Sequence, residues 1–230
     1  MTKPKDIFTF RDAEKQTGPV AFSTMLKPAG SACNLDCHYC YYLDKAVQYG
    51  GRQAVMSDEL LELYVKQYIE ANEVPTVQFC WHGGEPLLLG IDFYRKAMEL
   101  QQKYADGKRI ENTLQTNGTL VDDAFCEDMK TCGNLALALS VEGSEETTDA
   151  RRGAGSYRDT MAAMALLKKH GCLFGVSVCY TSQNCEAVTS DAFYDTLIEA
   201  GARYAWYFHY MPVGSDADQN LLLSPEQREH

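Results

Sequence analysis

The chain has 230 residues, 45% of them hydrophobic, and its 32 acidic and 21 basic side chains leave a formal net charge of -11. That length suits one α/β barrel-like domain with a sizeable buried core. The acidic balance and the lack of any cluster of lysine and arginine argue against a nucleic-acid partner, whose phosphates demand such clusters.

Residues 1–20 read as a polar N-terminal extension, and Met1-Thr2-Lys3-Pro4-Lys5 has no apolar signal-peptide core. No later apolar run reaches the roughly 18 residues of a membrane span, so no membrane partner is expected and the compartment is read as cytoplasmic. Nine cysteines, an odd number without an export signal, fit a reducing compartment better than a disulfide framework.

From residue 21 short β-rich runs alternate with helical stretches, the pattern of βα units on a parallel sheet. Strands are predicted at residues 21–27, 76–81, 110–116, 135–140, 174–180 and 205–210. Between the first two, Leu60, Leu61, Tyr64, Val65 and Tyr68 recur at helical spacing, and further helices are predicted at 91–104, 122–132, 157–170 and 191–200. Ser57-Asp58-Glu59 and Val121-Asp122-Asp123 carry the capping oxygen and early carboxylates of helix starts. Residues 213–220 read as a linker, after which Ser224-Pro225-Glu226-Gln227 is a capping-box pattern that opens a sixth helix. The chain stops three residues after Gln227, so it is expected to be a fragment, or a short relative, of a longer protein.

Cys33, Cys37 and Cys40 form a C-x3-C-x2-C triplet directly after the first predicted strand, at the end of a parallel sheet where βα loops build active sites. Thiolates are soft ligands that hold iron-sulfur clusters, and three of them leave one iron of a cubane open to a small molecule. The competing reading is a zinc knot, which needs a fourth ligand, and no partner C-x2-C pair occurs.

With Tyr39 at its aromatic position, the triplet resembles the signature loop of radical S-adenosylmethionine (SAM) enzymes. That resemblance implies a partial (β/α)6 TIM-like barrel, a 4Fe-4S cluster on Cys33, Cys37 and Cys40, and S-adenosyl-L-methionine chelating the fourth iron, with Tyr39 near its adenine. Gly83-Gly84-Glu85-Pro86, after the second strand, is similar to the family's GGEP motif: its glycines permit close backbone approach, and its carbonyls and Glu85 can accept from a cationic amine. Gln115 and Asn117 end the third strand and Ser140 the fourth, where the family places polar contacts to ribose and the methionyl carboxylate. Arg152 stands twelve residues after Ser140, the spacing of the family's carboxylate-binding arginine, with Arg151 as the alternative.

The run Cys33 to Leu43, with Gly83 to Leu88 and Leu114 to Leu120, is more closely similar to anaerobic sulfatase-maturating enzymes and related SPASM-type peptide-modifying enzymes. Those oxidise a cysteine or serine of a sulfatase chain to formylglycine, which implies a peptide or protein substrate and an external one-electron reductant of flavodoxin or ferredoxin type. Glu142 departs from the usual aspartate, and His82 from the usual glutamine before GGEP. The C-terminal auxiliary-cluster domain is expected to be missing from the 21–230 core. The alternatives are a family member acting on a small molecule and a truncated, non-catalytic iron-sulfur module.

His82 and His209 are the candidate catalytic side chains, His209 from an aromatic-rich strand end and each weighed against a packed, hydrogen-bonded histidine. Tyr41 and Tyr42 either line the substrate cavity or cap the core. Cys80, Cys126, Cys132, Cys172, Cys179 and Cys185 lack compact ligand spacing and read as core thiols.

Overall fold

The computed structural model describes residues 18–40, 42, 55–132, 134–213 and 217–229. Most of the expected N-terminal extension, Tyr41, Leu43, the side chain of Cys132 and part of the 213–220 linker lie outside the described residues.

Six strands, β1 (Met25–Leu26), β2 (Thr76–Trp81), β3 (Arg109–Thr116), β4 (Leu135–Ser140), β5 (Phe174–Tyr180) and β6 (Ala205–His209), pair in sequence order. Every pairing is parallel, and the sheet curls into the expected partial barrel. The crossovers carry α1 (Asp58–Ala71), α2 (Ile91–Tyr104), α3 (Asp123–Cys132), α4 (Glu145–Arg152), α5 (Ser156–His170), α6 (Cys185–Val188) and α7 (Asp191–Ala200). After β6 follows α8 (Pro225–Glu229), opened by the expected capping box, in which Ser224 and Gln227 cap each other reciprocally.

Strand period two sorts the side chains. Val77, Phe79 and Trp81, then Leu135, Leu137 and Leu139, then Phe174, Val176 and Val178 are buried in one core with Leu61, Val65, Tyr94, Met164 and Leu167 of the helices. The other parity of these strands and of β3 carries small or polar groups, among them Thr113, Gln115, Ser140, Ser177 and Cys179.

β1 is shorter than the predicted 21–27 because only Met25 and Leu26 pair with β2. Asp122 stands just outside α3 and caps it, accepting from the Phe125 amide at 2.7 Å. α4 and α6 are absent from the sequence reading. The α4 run, EETTDARR, has no apolar stripe, although Ser144 accepting from the Thr147 amide and two early glutamates are ordinary helix-start signals.

Asn112 ties this core together. Its Oδ1 accepts from Trp81 Nε1 and Gln101 Nε2, and its Nδ2 donates to Gln101 Oε1, each at 2.8 Å with all three residues buried. Asn112→Leu strands the indole N–H and the Gln101 amide without partners. The expected loss is about 2–4 kcal/mol, read as a lower urea midpoint at unchanged slope.

Candidate active site

The parallel ladder brings the carboxyl ends of β1 to β5 to one rim, and the cysteine loop lies there. Beyond the paired strand residues the β1–β2 register continues as backbone bonds: His82 N donates to Leu26 O at 2.7 Å, Gly84 N to Gly30 O at 3.0 Å and Glu85 N to Ala32 O at 2.7 Å. A Cβ on Gly84 would sit 2.0 Å from the Ala32 carbonyl oxygen. The close approach that these glycines permit is thus to the cysteine loop's own backbone. Gly83 adds a φ of +128°, a region that L side chains rarely adopt.

Glu85 has no exposed surface. Its Oε1 accepts from Leu87 N at 2.9 Å and Thr116 Oγ1 at 2.8 Å, and its Oε2 from Asn117 N at 2.8 Å. The carboxylate expected to meet a ligand amine therefore binds the β2 turn to the end of β3. Pro86, also buried, opens a short 3-10 turn and gives its carbonyl to Tyr94 Oη at 2.8 Å. Asn117 passes the restraint on: its Nδ2 donates to Asn34 Oδ1 at 2.8 Å and lies 3.9 Å from Cys33 Sγ.

On the other side of the loop, Tyr39 Oη donates to Glu142 Oε1 at 2.6 Å and accepts from Arg152 Nη1 at 2.9 Å. Arg152 Nη1 also reaches Glu142 Oε1 at 3.4 Å, while Cys179 N donates to Glu142 Oε2 at 3.1 Å. The Arg151 guanidinium stacks 4.3 Å from the Tyr39 ring centroid, donates to Thr181 Oγ1 at 2.6 Å and lies 4.0 Å from Glu142 Oε2. Burial raises the Glu142 carboxyl above its ordinary value, and the two guanidiniums offset that only in part. Every group that touches its oxygens is a donor or a cation, the arrangement an ionised carboxylate requires. Burial also pushes the Cys37 thiol up to about 11, against a downward pull from Arg152.

His82 Nδ1 accepts from the Gly83 amide at 2.7 Å, and Gln115 lies near enough to the ring to act on its charge. Burial, with Lys27 nearby, lowers its pKa, so the neutral ring is favoured. Ser140 is buried at the end of β4. The aromatic Tyr42 lies under Lys27, whose Nζ is 3.8 Å from the ring centroid. His209 pairs with Tyr180 in the β5–β6 register and its ring lies 4.4 Å from that of Tyr180, on the strand parity opposite to Ser177 and Cys179, the packed alternative of the two weighed above. Cys179 is the converse case, a thiol read as ordinary core that belongs to the Glu142 and Arg151 cluster. Thr181 and Asn34 complete the site without a motif of their own, signalled only by their positions just past a strand end and inside the cysteine loop, whereas Glu142 and Arg151 fall at the family-like positions named above.

The residues present fit a three-thiolate polynuclear centre with an anionic ligand beside it. Arg151 Nε and Nη2 and Arg152 Nε are buried with no hydrogen-bond partner, an unusual state for guanidinium N–H groups that a carboxylate would relieve. No three His, Cys, Asp or Glu side chains among the described residues converge on one metal position, as a zinc knot would need.

A family model described as the radical SAM superfamily matches residues 28–186. The serine-type anaerobic sulfatase-maturating enzyme of Bacteroides thetaiotaomicron is 48% identical over 152 residues, covering 64% of this chain and 36% of that protein. The serine-type enzyme of Klebsiella aerogenes is 37% identical over 221 residues, covering 93% and 53%. Among solved structures, native anSMEcpe with bound AdoMet and Cp18Cys peptide superposes with a TM-score of 0.76 at 30% identity, covering 89% of this chain and 56% of that one. Streptococcus suis SuiB bound to precursor peptide SuiA, at 17% identity and a TM-score of 0.65, shares the fold. The chain spans between about a third and about half the length of the curated relatives it matches.

Gly84→Ala forces the turn and the cysteine loop apart. Alkylation of the metal-free protein, mapped by peptide mass spectrometry, is expected to label Cys33 and Cys37 several-fold faster than in the parent chain, with the far-ultraviolet circular dichroism retained.

Proposed function

The chain belongs to the radical SAM superfamily, and from that premise we propose that it is the core of an enzyme that cleaves S-adenosylmethionine reductively to modify a peptide or protein side chain. The observation that carries this reading is the pairing of a three-thiol loop with buried, unpartnered arginine N–H groups on its far side. Its homology to anaerobic sulfatase-maturating enzymes favours oxidation of a cysteine or serine side chain to formylglycine, and the compartment we assign is a reducing cytoplasm.

When bound, a 4Fe-4S cluster with S-adenosylmethionine supplies a one-electron cleavage whose radical product removes an unactivated hydrogen. Cys33, Cys37 and Cys40 would hold that cluster, the electron coming from a flavodoxin- or ferredoxin-type donor. Arg152, rather than Arg151, is the arm we assign to the methionyl carboxylate, on its twelve-residue spacing from Ser140, its hydrogen bond to Tyr39 of the cysteine loop and its buried, unpartnered Nε. Tyr39 borders the adenosyl group; Gly83 and Gly84 offer carbonyls to the amine; Gln115, Asn117 and Ser140 form the polar rim; Glu85 and Pro86 position the turn. His82, neutral and lodged against Gln115, faces substrate and can donate a hydrogen bond without carrying charge.

After anaerobic reconstitution with iron and sulfide, dithionite and S-adenosylmethionine should yield methionine and 5′-deoxyadenosine. Cluster-loaded protein that releases no 5′-deoxyadenosine would refute the enzyme reading and leave a binding module. Cys37→Ala is expected to abolish both iron loading and cleavage. Arg152→Lys, which trades a two-pronged donor for a point charge, should weaken S-adenosylmethionine binding by about 10- to 100-fold while leaving the iron content unchanged.

A further inference from the structure

We propose that the buried charges of Arg151, Glu142 and Arg152 set the reduction potential of the cluster assigned to Cys33, Cys37 and Cys40, an inference that rests on the function proposed above. The triad touches the cysteine loop at the two residues following Cys37. The His38 amide donates to the Arg151 carbonyl at 2.9 Å, and Tyr39 is held by Glu142 at 2.6 Å, by Arg152 at 2.9 Å and by the stacked Arg151 guanidinium. The side chains of Arg151, Arg152 and Glu142 are only 5%, 6% and 1% exposed, so neither solvent nor salt screens them as it would a surface pair.

The sign follows from charge alone. Reduction adds an electron to the cluster; a nearby guanidinium favours that state and a nearby carboxylate opposes it. Arginine is always protonated, and Glu142 is ringed by donors. Among the described residues the loop also meets Glu85 on the Cys33 side, Lys27 over the Tyr42 ring and its own Asp36, all of which stay the same in the variants compared below. Glu142 and Arg151 are therefore levers of opposite sign at one place. A unit charge roughly 10 Å away, in an effective dielectric of about 20, moves a one-electron equilibrium on the order of tenfold.

The test is an electron paramagnetic resonance redox titration of the reconstituted chain without S-adenosylmethionine. Glu142→Gln, which keeps the side chain's length, should shift the midpoint positive, and Arg151→Met should shift it negative. Each shift should be on the order of tenfold in the reduction equilibrium, or about 59 mV for one electron. Glu145→Gln, an exposed charge change on the same helix, serves as the control and should leave the midpoint in place.

A purely structural triad would loosen the loop in both variants and move both midpoints the same way. That result, or shifts no larger than the control's, would overturn the inference while leaving cluster loading and the proposed function intact. If Arg151→Met does not load iron, the Glu142 pair decides: Glu142→Asp should keep the parent midpoint while Glu142→Gln departs from it, and equal midpoints would overturn the inference. A parent chain that takes up no cluster would instead refute the proposed function itself.

Discussion

The contact between Gly84 and the backbone of Ala32 is the constraint from which the rest of the rim follows. There is no space for a Cβ between them, and the three backbone bonds from His82, Gly84 and Glu85 extend a two-residue strand pairing into a loop of fixed path. An isolated loop carrying three thiols would have many conformations and a correspondingly large entropy to lose on binding metal. Here the sheet register has already removed much of that freedom. Glu85 then reaches across to Thr116 and Asn117, and Asn117 reaches Asn34, so the loop is held from β2 and β3 together.

The opposite wall is electrostatic. Burying a carboxylate and two guanidiniums is costly unless each is paired, and Glu142 meets the requirement with Tyr39, Arg152 and the Cys179 amide. The arginines sit in the last turn of α4, where the helix dipole favours cations, and Ser144 with Glu145 and Glu146 satisfies its first turn. This short polar helix is thereby explained by the site: it delivers charge beneath a loop, with little apolar surface of its own to bury. The unpartnered N–H groups that remain mark where a further anion would complete the balance.

Much of this was legible in the residue order. Strand and helix periodicity placed all six strands and five of the longer helices, because an amphipathic element packed on a parallel sheet must repeat its apolar residues at a fixed interval. α4 escaped because a helix that is polar on every side carries no such repeat. The cysteine spacing and the glycine turn could be recognised because both are local. The sealing of Glu85 inside the protein could not be, since its three donors come from residues 87, 116 and 117. Nor could the separation of His209 from Cys179, which depends on strand parity and register across β5 and β6.

By itself the sequence determined the kind of protein this is: an α/β chain of parallel strands with a three-thiol loop, because periodicity and close spacing are properties of neighbouring residues. Tertiary structure decided what each polar group faces. Glu142 and Tyr39 are 103 positions apart, and Arg152 and Tyr39 113; whether a buried carboxylate meets a ligand, a cation or its own backbone is set by the register of the sheet that folds those distant segments onto one rim.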